Sequence, residues 1–323
     1  MPRTRPRRTA LLSAAIVTLL LGACAAVAFG QAGGHAPISP MKVFRGKVNT
    51  PFGASNNMTY QGGPVETGPA VYVVYWGSWW NTSAVTGQQN GVSFGPTAAA
   101  SYVNSLFSNV GGSSWENINS QYCQGVATGT VNCGTSGQHV ANVTSQLKGT
   151  WIDTSSVPAK PSQSQIAAEA QNAAAHFGYS SSQPAATVFV LTPSGNSMSG
   201  FGTSWCAWHS VTAYNGTNLP YAYLPYQPDA GGACGENFVN ATSDTFGNGY
   251  FDGFSVVGGH EYAEAETDPV TASGHYAWVD RRGSEIGDKC AWSSASGNVT
   301  LGGNSFAMQP LWSNASSACR MNA

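Results

Sequence analysis

Two apolar runs constrain this chain more than any other feature. Ala70-Val71-Tyr72-Val73-Val74-Tyr75-Trp76, bounded by Pro69 and Gly77, and Thr187-Val188-Phe189-Val190-Leu191 are continuous stretches of β-branched and aromatic residues. Neither alternates polar with apolar positions, so each reads as a buried strand. Between them, Pro96 to Phe107 reads as a helix, and Gln165 to Phe177, capped by Ser162 or Ser164 and stopped at Gly178, as a second. Strands alternating with helices predict an α/β fold, a single domain with a mixed central sheet flanked by helices. No repeat of solenoid or propeller period is present, and clusters of Gly, Ser and Asn mark long surface loops.

The ends and the cysteines point to export. Arg3, Arg5, Arg7 and Arg8 precede an apolar stretch, Leu11 to Leu21, and Ala26-Val27-Ala28 offers a cleavage site, so residues 1–28 read as a signal peptide. Leu21-Gly22-Ala23-Cys24 also resembles a lipoprotein box, making anchoring through Cys24 the second reading, and Arg7-Arg8 is a weak twin-arginine signal. The apolar stretch is too short to span a bilayer, and no later segment is long enough. Residues 29–58, rich in Gly, Pro, Ser and Asn, suit a flexible arm or linker, leaving 59–323 as the folded domain. Six cysteines remain beyond Cys24. An even set in an oxidising compartment reads as three disulfides, and sequence proximity pairs Cys123 with Cys133, Cys206 with Cys234 and Cys290 with Cys319. No C-x-x-C pair argues for thiolate metal binding.

Charge is scarce and unevenly placed. Charged residues make up 9 % of the chain, and four of the 13 bases fall in the first eight residues. What is left is acidic, which excludes a nucleic-acid binder. Of the 15 acids, eight (Asp252, Glu261, Glu264, Glu266, Asp268, Asp280, Glu285 and Asp288) lie between residues 252 and 288. Within that window, Val256 to Asp268 reads as a helix stopped by Pro269. His260 and Glu264 stand at i and i+4 on one face, where an imidazole nitrogen and a carboxylate converge on one cation. Glu261, one step round, reaches a metal-bound water as a base. This H-E-x-x-E pattern follows the logic of H-E-x-x-H zinc peptidases, with a glutamate for the second histidine.

A catalytic zinc generally takes three protein ligands. Glu285, 21 residues beyond Glu264, is assigned as the third, as in thermolysin-like enzymes, with Asp288 either bracing a ligand, as a nearby aspartate there braces a histidine, or serving as an alternative ligand. Val270 stands where a metzincin would need its third histidine. One imidazole and two carboxylates make a hard, anionic site, so the expected cofactor is one divalent metal, zinc first, with calcium or manganese as alternatives. His209, His275, Tyr262 and Arg281 are candidates to contact the substrate or transition state. His209 stands out, set among aromatics in Trp205-Cys206-Ala207-Trp208-His209. Glu66 reads as a turn residue, and His139 and His176 as structural. Without a metal, the same helix would be a solvated face with an i, i+4 pair worth a few tenths of a kcal/mol; Val256-Val257-Gly258-Gly259 before His260 argues for burial instead. No G-x-S-x-G and no phosphate loop occur.

Tyr60-Gln61-Gly62-Gly63-Pro64-Val65-Glu66-Thr67-Gly68 followed by Val73-Val74-Tyr75-Trp76-Gly77 resembles the opening of the phosphate-induced, EXORDIUM-like family of secreted plant proteins. Cys123, Cys133-Gly134, Cys206-Ala207-Trp208, Phe251-Asp252-Gly253, Thr267-Asp268-Pro269 and Leu311 to Cys319 are similar to family landmarks in the same order, so the likeness spans about residues 60–320. The resemblance implies an extracellular or cell-wall protein and assures no enzymatic activity. The residues add an H-E-x-x-E, zincin-like helix. The expected function is therefore a secreted metal-dependent peptidase with a peptide or protein substrate. The alternatives are a non-catalytic extracellular, wall-glycan-binding protein and an acid-active hydrolase using paired carboxylates.

Overall fold

The computed structural model describes residues 36–46, 56–180, 186–241, 249–272 and 275–323, together with Met1. The rest of the expected signal peptide, with Cys24, lies outside the described residues. Six strands form the central sheet: β1 (Ser39–Lys42), β2 (Ala70–Trp76), β3 (Leu147–Asp153), β4 (Ala186–Leu191), β5 (Trp205–Tyr214) and β6 (Thr217–Tyr223), in the order β1-β5-β6-β4-β2-β3. The sheet is mixed. Strand β2 runs parallel to β3 and β4, and β4 parallel to β6, whereas β5 is antiparallel to both β6 and β1. Asn215 and Gly216, both at positive φ (48° and 77°), make the tight β5–β6 turn whose twist suits a hairpin.

Helices cover both faces, which is why the two apolar runs do not alternate. Val71, Val73, Tyr75, Phe189 and Leu191 share a core with α1 (Pro96–Asn109) and α3 (Asp252–Thr267). The intervening Tyr72, Val74, Val188 and Val190 pack with α2 (Gln163–His176) on the other face. Pro96 opens α1 where its missing N–H costs nothing. A capping box opens α2: Ser162 Oγ accepts from the Gln165 N–H, and the Gln165 side chain accepts from the Ser162 N–H at 2.9 Å.

Helix α3 starts one turn before the expected Val256, because the Asp252 carboxylate accepts the Val239 and Asn240 amides, each at 2.8 Å, and holds the first turn in place. All 16 of its residues are buried. A Cβ on Gly259 would come within 2.7 Å of Met308 Cε, so glycine here lets the hairpin of β7 (Gly297–Leu301) and β8 (Asn304–Met308) pack close on this helix without moving the Met308 side chain. All three expected disulfides are formed, Cys123–Cys133, Cys206–Cys234 and Cys290–Cys319.

The stretch 29–58, read as an arm, is not one throughout. Ser39–Lys42 is an edge strand of the sheet, and Phe44 enters an aromatic cluster with Phe238 and Trp292, each 5.4 Å away. The polar edge of β5 needs backbone partners, and Met41 and Val43, two apart, both turn into the core.

Glu169 on α2 supplies a test of the helix–sheet layer. Burial pushes its carboxyl up to about 8, with Asn172 opposing and Asp153 assisting. A carboxyl raised in the folded state stabilises fully below the unfolded value of about 4.3, and that contribution disappears as pH rises through 8. Thermal denaturation of Glu169→Gln beside the parent should therefore show a gap favouring the variant that widens from pH 5 to 8, by up to about 1.4 kcal/mol per pH unit. A constant gap would overturn this account.

Candidate metal and acid–base site

The buried helix α3 carries His260, Glu261 and Glu264, and three other parts of the chain close on them. Strand β5 contributes His209, whose neighbours Trp208 and Ser210 face away from α3. The segment before Cys290 contributes Glu285 and Asp288, and Gln309 follows β8. The Cys290–Cys319 bridge ties down the segment that bears the two acids.

Two triads result, and Glu264 belongs to both. In the first, His260 Nε2 lies 3.0 Å from Glu264 Oε1 and 3.8 Å from Asp288 Oδ1. In the second, His209 Nδ1 lies 3.1 Å from Glu261 Oε2 and 3.5 Å from Glu264 Oε2. Glu285 Oε1 stands 3.4 Å from the other ring nitrogen of His209. His260, Glu261 and Glu264 are fully buried, while the Asp288 side chain is 32 % exposed and opens its triad towards solvent.

The donor set fits a cation. His260 Nδ1 faces Gln309 Oε1 at 3.3 Å, so it carries the ring proton, and Gln309 is itself fixed by donating to the Gly287 carbonyl at 2.9 Å. That leaves the Nε2 lone pair pointing among carboxylates without a hydrogen bond. Glu264 Oε2 and Glu285 Oε1 are likewise buried without one. Bare acceptors at this density call for a proton or a metal between them. The Asp288 main-chain N–H donates to Glu264 Oε1 at 2.9 Å and fixes the direction of that carboxylate. Burial pushes Glu264 well above the usual carboxylate range, reinforced by Glu285, Asp288 and Glu261. For His209 burial opposes the charge, yet Glu285, Glu261 and Glu264 outweigh it and hold the ring protonated.

The expected site residues separate. His260, Glu264 and Asp288 converge; Glu285, expected to complete that set, faces His209 and accepts from Ser39 Oγ instead. His209, expected near the substrate, is at the centre. Tyr262 is not: two residues from His260 on the helix, it points to the opposite side and donates to Gln146, beside the buried Glu116 and Glu266. His275 lines a separate hollow of about 410 Å³ with Tyr60, Gln124, Gln138 and Asn218. Arg281 occupies an exposed turn. Glu66 is buried, accepting from Thr187 Oγ1 at 2.9 Å, so it is not a surface turn residue. Gln309 and Ser39 escaped the sequence reading, since nothing in their local sequence marks them.

No family model matches the chain, and no curated protein or solved structure matches it.

Gly287 offers a steric test of the His260 triad. A Cβ there would lie 2.7 Å from His260 Nδ1 and 3.0 Å from Glu264 Oε1, on an otherwise ordinary backbone. Gly287→Ala should keep the fold, by circular dichroism, while weakening metal binding at least tenfold in a chelator competition. Unchanged affinity would show that these side chains hold no ion.

Proposed function

We propose that this chain is a secreted metal-dependent peptidase in which His260, Glu264 and Asp288 hold one divalent cation and Glu261 is the base. The observation that carries the reading is the His260–Glu264–Asp288 triad, buried on two members, open on the third, with a ring nitrogen left unbonded. One imidazole and two carboxylates accept zinc first, with calcium or manganese as alternatives. A cation bound there would polarise the scissile carbonyl and lower the pKa of a neighbouring water.

The chain's own groups do the rest. Gln309 sets the His260 tautomer, and the Asp288 N–H sets the Glu264 carboxylate. Glu261 Oε2 takes the proton of the attacking water, and the His209 ring proton, 3.1 Å away, keeps that carboxylate aimed. The His209 ring also faces Glu285, 3.4 Å from its other nitrogen, and gives that buried carboxyl a second partner beside Ser39. Three disulfides support an extracellular setting.

A second reading has one observation in its favour. The hollow at His275 is lined by Gln124, Gln138 and Asn218 with the buried Tyr60 behind them, a polar lining of the kind a wall glycan would meet. Kinship with the EXORDIUM-like proteins belongs to that reading, as a proposal resting on the motifs between Tyr60 and Cys319.

Mass spectrometry of the purified protein should find one equivalent of metal, lost in His260→Ala and retained in Glu261→Gln. Peptide hydrolysis by Glu261→Gln should fall at least a thousandfold. No metal in the parent after incubation with zinc would remove the reading, and hydrolysis surviving excess chelator at low pH would put carboxylate chemistry in its place.

A further inference from the structure

Strand β1 lies across the metal and acid–base site. Ser39 pairs with His209, Pro40 with Trp208 and Met41 with Ala207 in antiparallel register. Ser39 Oγ donates to the Glu285 carboxylate, and the Met41 main-chain N–H donates to Glu261 Oε1 at 3.3 Å. Beneath this strand His209, Glu261 and Glu285 are 0–3 % exposed.

What holds the strand is addressed mostly to backbone. Thr271 Oγ1 and Ser210 Oγ donate to the Pro37 carbonyl at 2.6 and 2.9 Å, Gln163 Nε2 to the Ala36 carbonyl at 2.7 Å, and Trp292 Nε1 to the Lys42 carbonyl at 2.7 Å. Any extended peptide presents such carbonyls. Within residues 37–42, side-chain recognition comes from Ser39 over Glu285, from Met41, which is fully buried, and from Ile38 against the α2-side core, with Val43 and Phe44 anchoring the chain just beyond. The strand sits at the sheet edge and at the N-terminal end of the described fold, so its departure leaves the other five strands paired. Adding a strand to a sheet edge is a general way to bind a peptide, with ladder bonds giving affinity and alternate pockets giving preference.

The bond between Ser39 and Pro40, directly over the acids, is also unusual. Ser39–Pro40 is a tertiary amide, and Pro40 has no N–H to offer the groove. The amide that meets Glu261 is the next one, Pro40–Met41, whose N–H the carboxylate accepts.

We infer that the β5 edge is a binding groove for an extended polypeptide strand, with a small residue over Glu285 and an apolar one in the Met41 pocket. Residues 37–42 of this chain fill it as a built-in blocker that leaves and returns, so the parent hydrolyses peptide only while the groove is open. The inference deepens the peptidase reading and rests on it only for the hydrolytic step after binding.

The test uses the full chain and a fluorescein-labelled synthetic peptide of residues 36–44. Met41→Asp places a carboxylate in the apolar pocket beside Glu261, which should expel the strand in place and raise affinity for the added peptide at least a hundredfold over the parent. A folded Met41→Asp protein that gains no affinity overturns the proposal. Native-state hydrogen exchange on the parent gives a second check that needs no variant. The Met41 amide should exchange at least a hundredfold faster than those of Val73 and Val190, and exchange at their rate would make β1 part of the cooperative core and overturn the proposal. Peptide binding by Met41→Asp with no hydrolysis of any substrate would uphold the groove and count against the peptidase reading alone.

Discussion

A helix with no solvent-facing side can partner its polar groups only from its neighbours, and α3 is such a helix. His260, Glu261, Glu264, Glu266 and Asp268 are all buried along it. Each draws a different piece of the chain inward. Glu261 is met by His209 from the sheet, and His260 by Gln309 after the β7–β8 hairpin. Glu264 is met by the Asp288 amide, Glu266 by the Asn119 amide at 2.7 Å, and Asp268 by the Ala277 N–H at 2.8 Å. The layers around α3 are thus arranged by polar demand as much as by apolar packing.

That demand is electrically one-sided. Glu261, Glu264, Asp268, Glu285 and Asp288 gather around two imidazoles, and burial raises Asp268 and Glu264 well above the ordinary carboxylate range, with Glu285 adding to both. Lys289, the cation next along the chain, is committed to Asp280 at 3.0 Å and to the face of Trp312 at 4.2 Å. Without an added cation the cluster can be neutral only by keeping protons. A divalent ion at Glu264 would replace those protons and let the carboxylates ionise, so metal and proton occupancy are opposed there.

Strands β2 and β4, the three helices and the disulfides were legible because local pattern decides them: apolar runs, caps, and cysteines close in sequence; β3, β5 and β6 carry no such run and were not read. The i, i+4 pairing of His260 with Glu264 was legible for the same reason. Choosing between Glu285 and Asp288 was not, because a short turn at Asp288–Cys290 decides which of the two acids meets His260, and spacing along the chain is blind to that. Tyr262 misled through nearness in sequence, since a step of two residues turns a helix side chain to the far side. Strand β1 was hidden by its Gly- and Pro-rich surroundings, and only the open edge of β5 makes it a strand.

The Cys290–Cys319 bridge closes a loop of 29 residues directly beside Glu285 and Asp288. In a reducing compartment that closure is absent, and the acid-bearing segment loses a restraint worth about 3 kcal/mol. Bracing of the acid-bearing segment is therefore tied to oxidation: Glu285 and Asp288 are fully restrained only where the Cys290–Cys319 bridge can form.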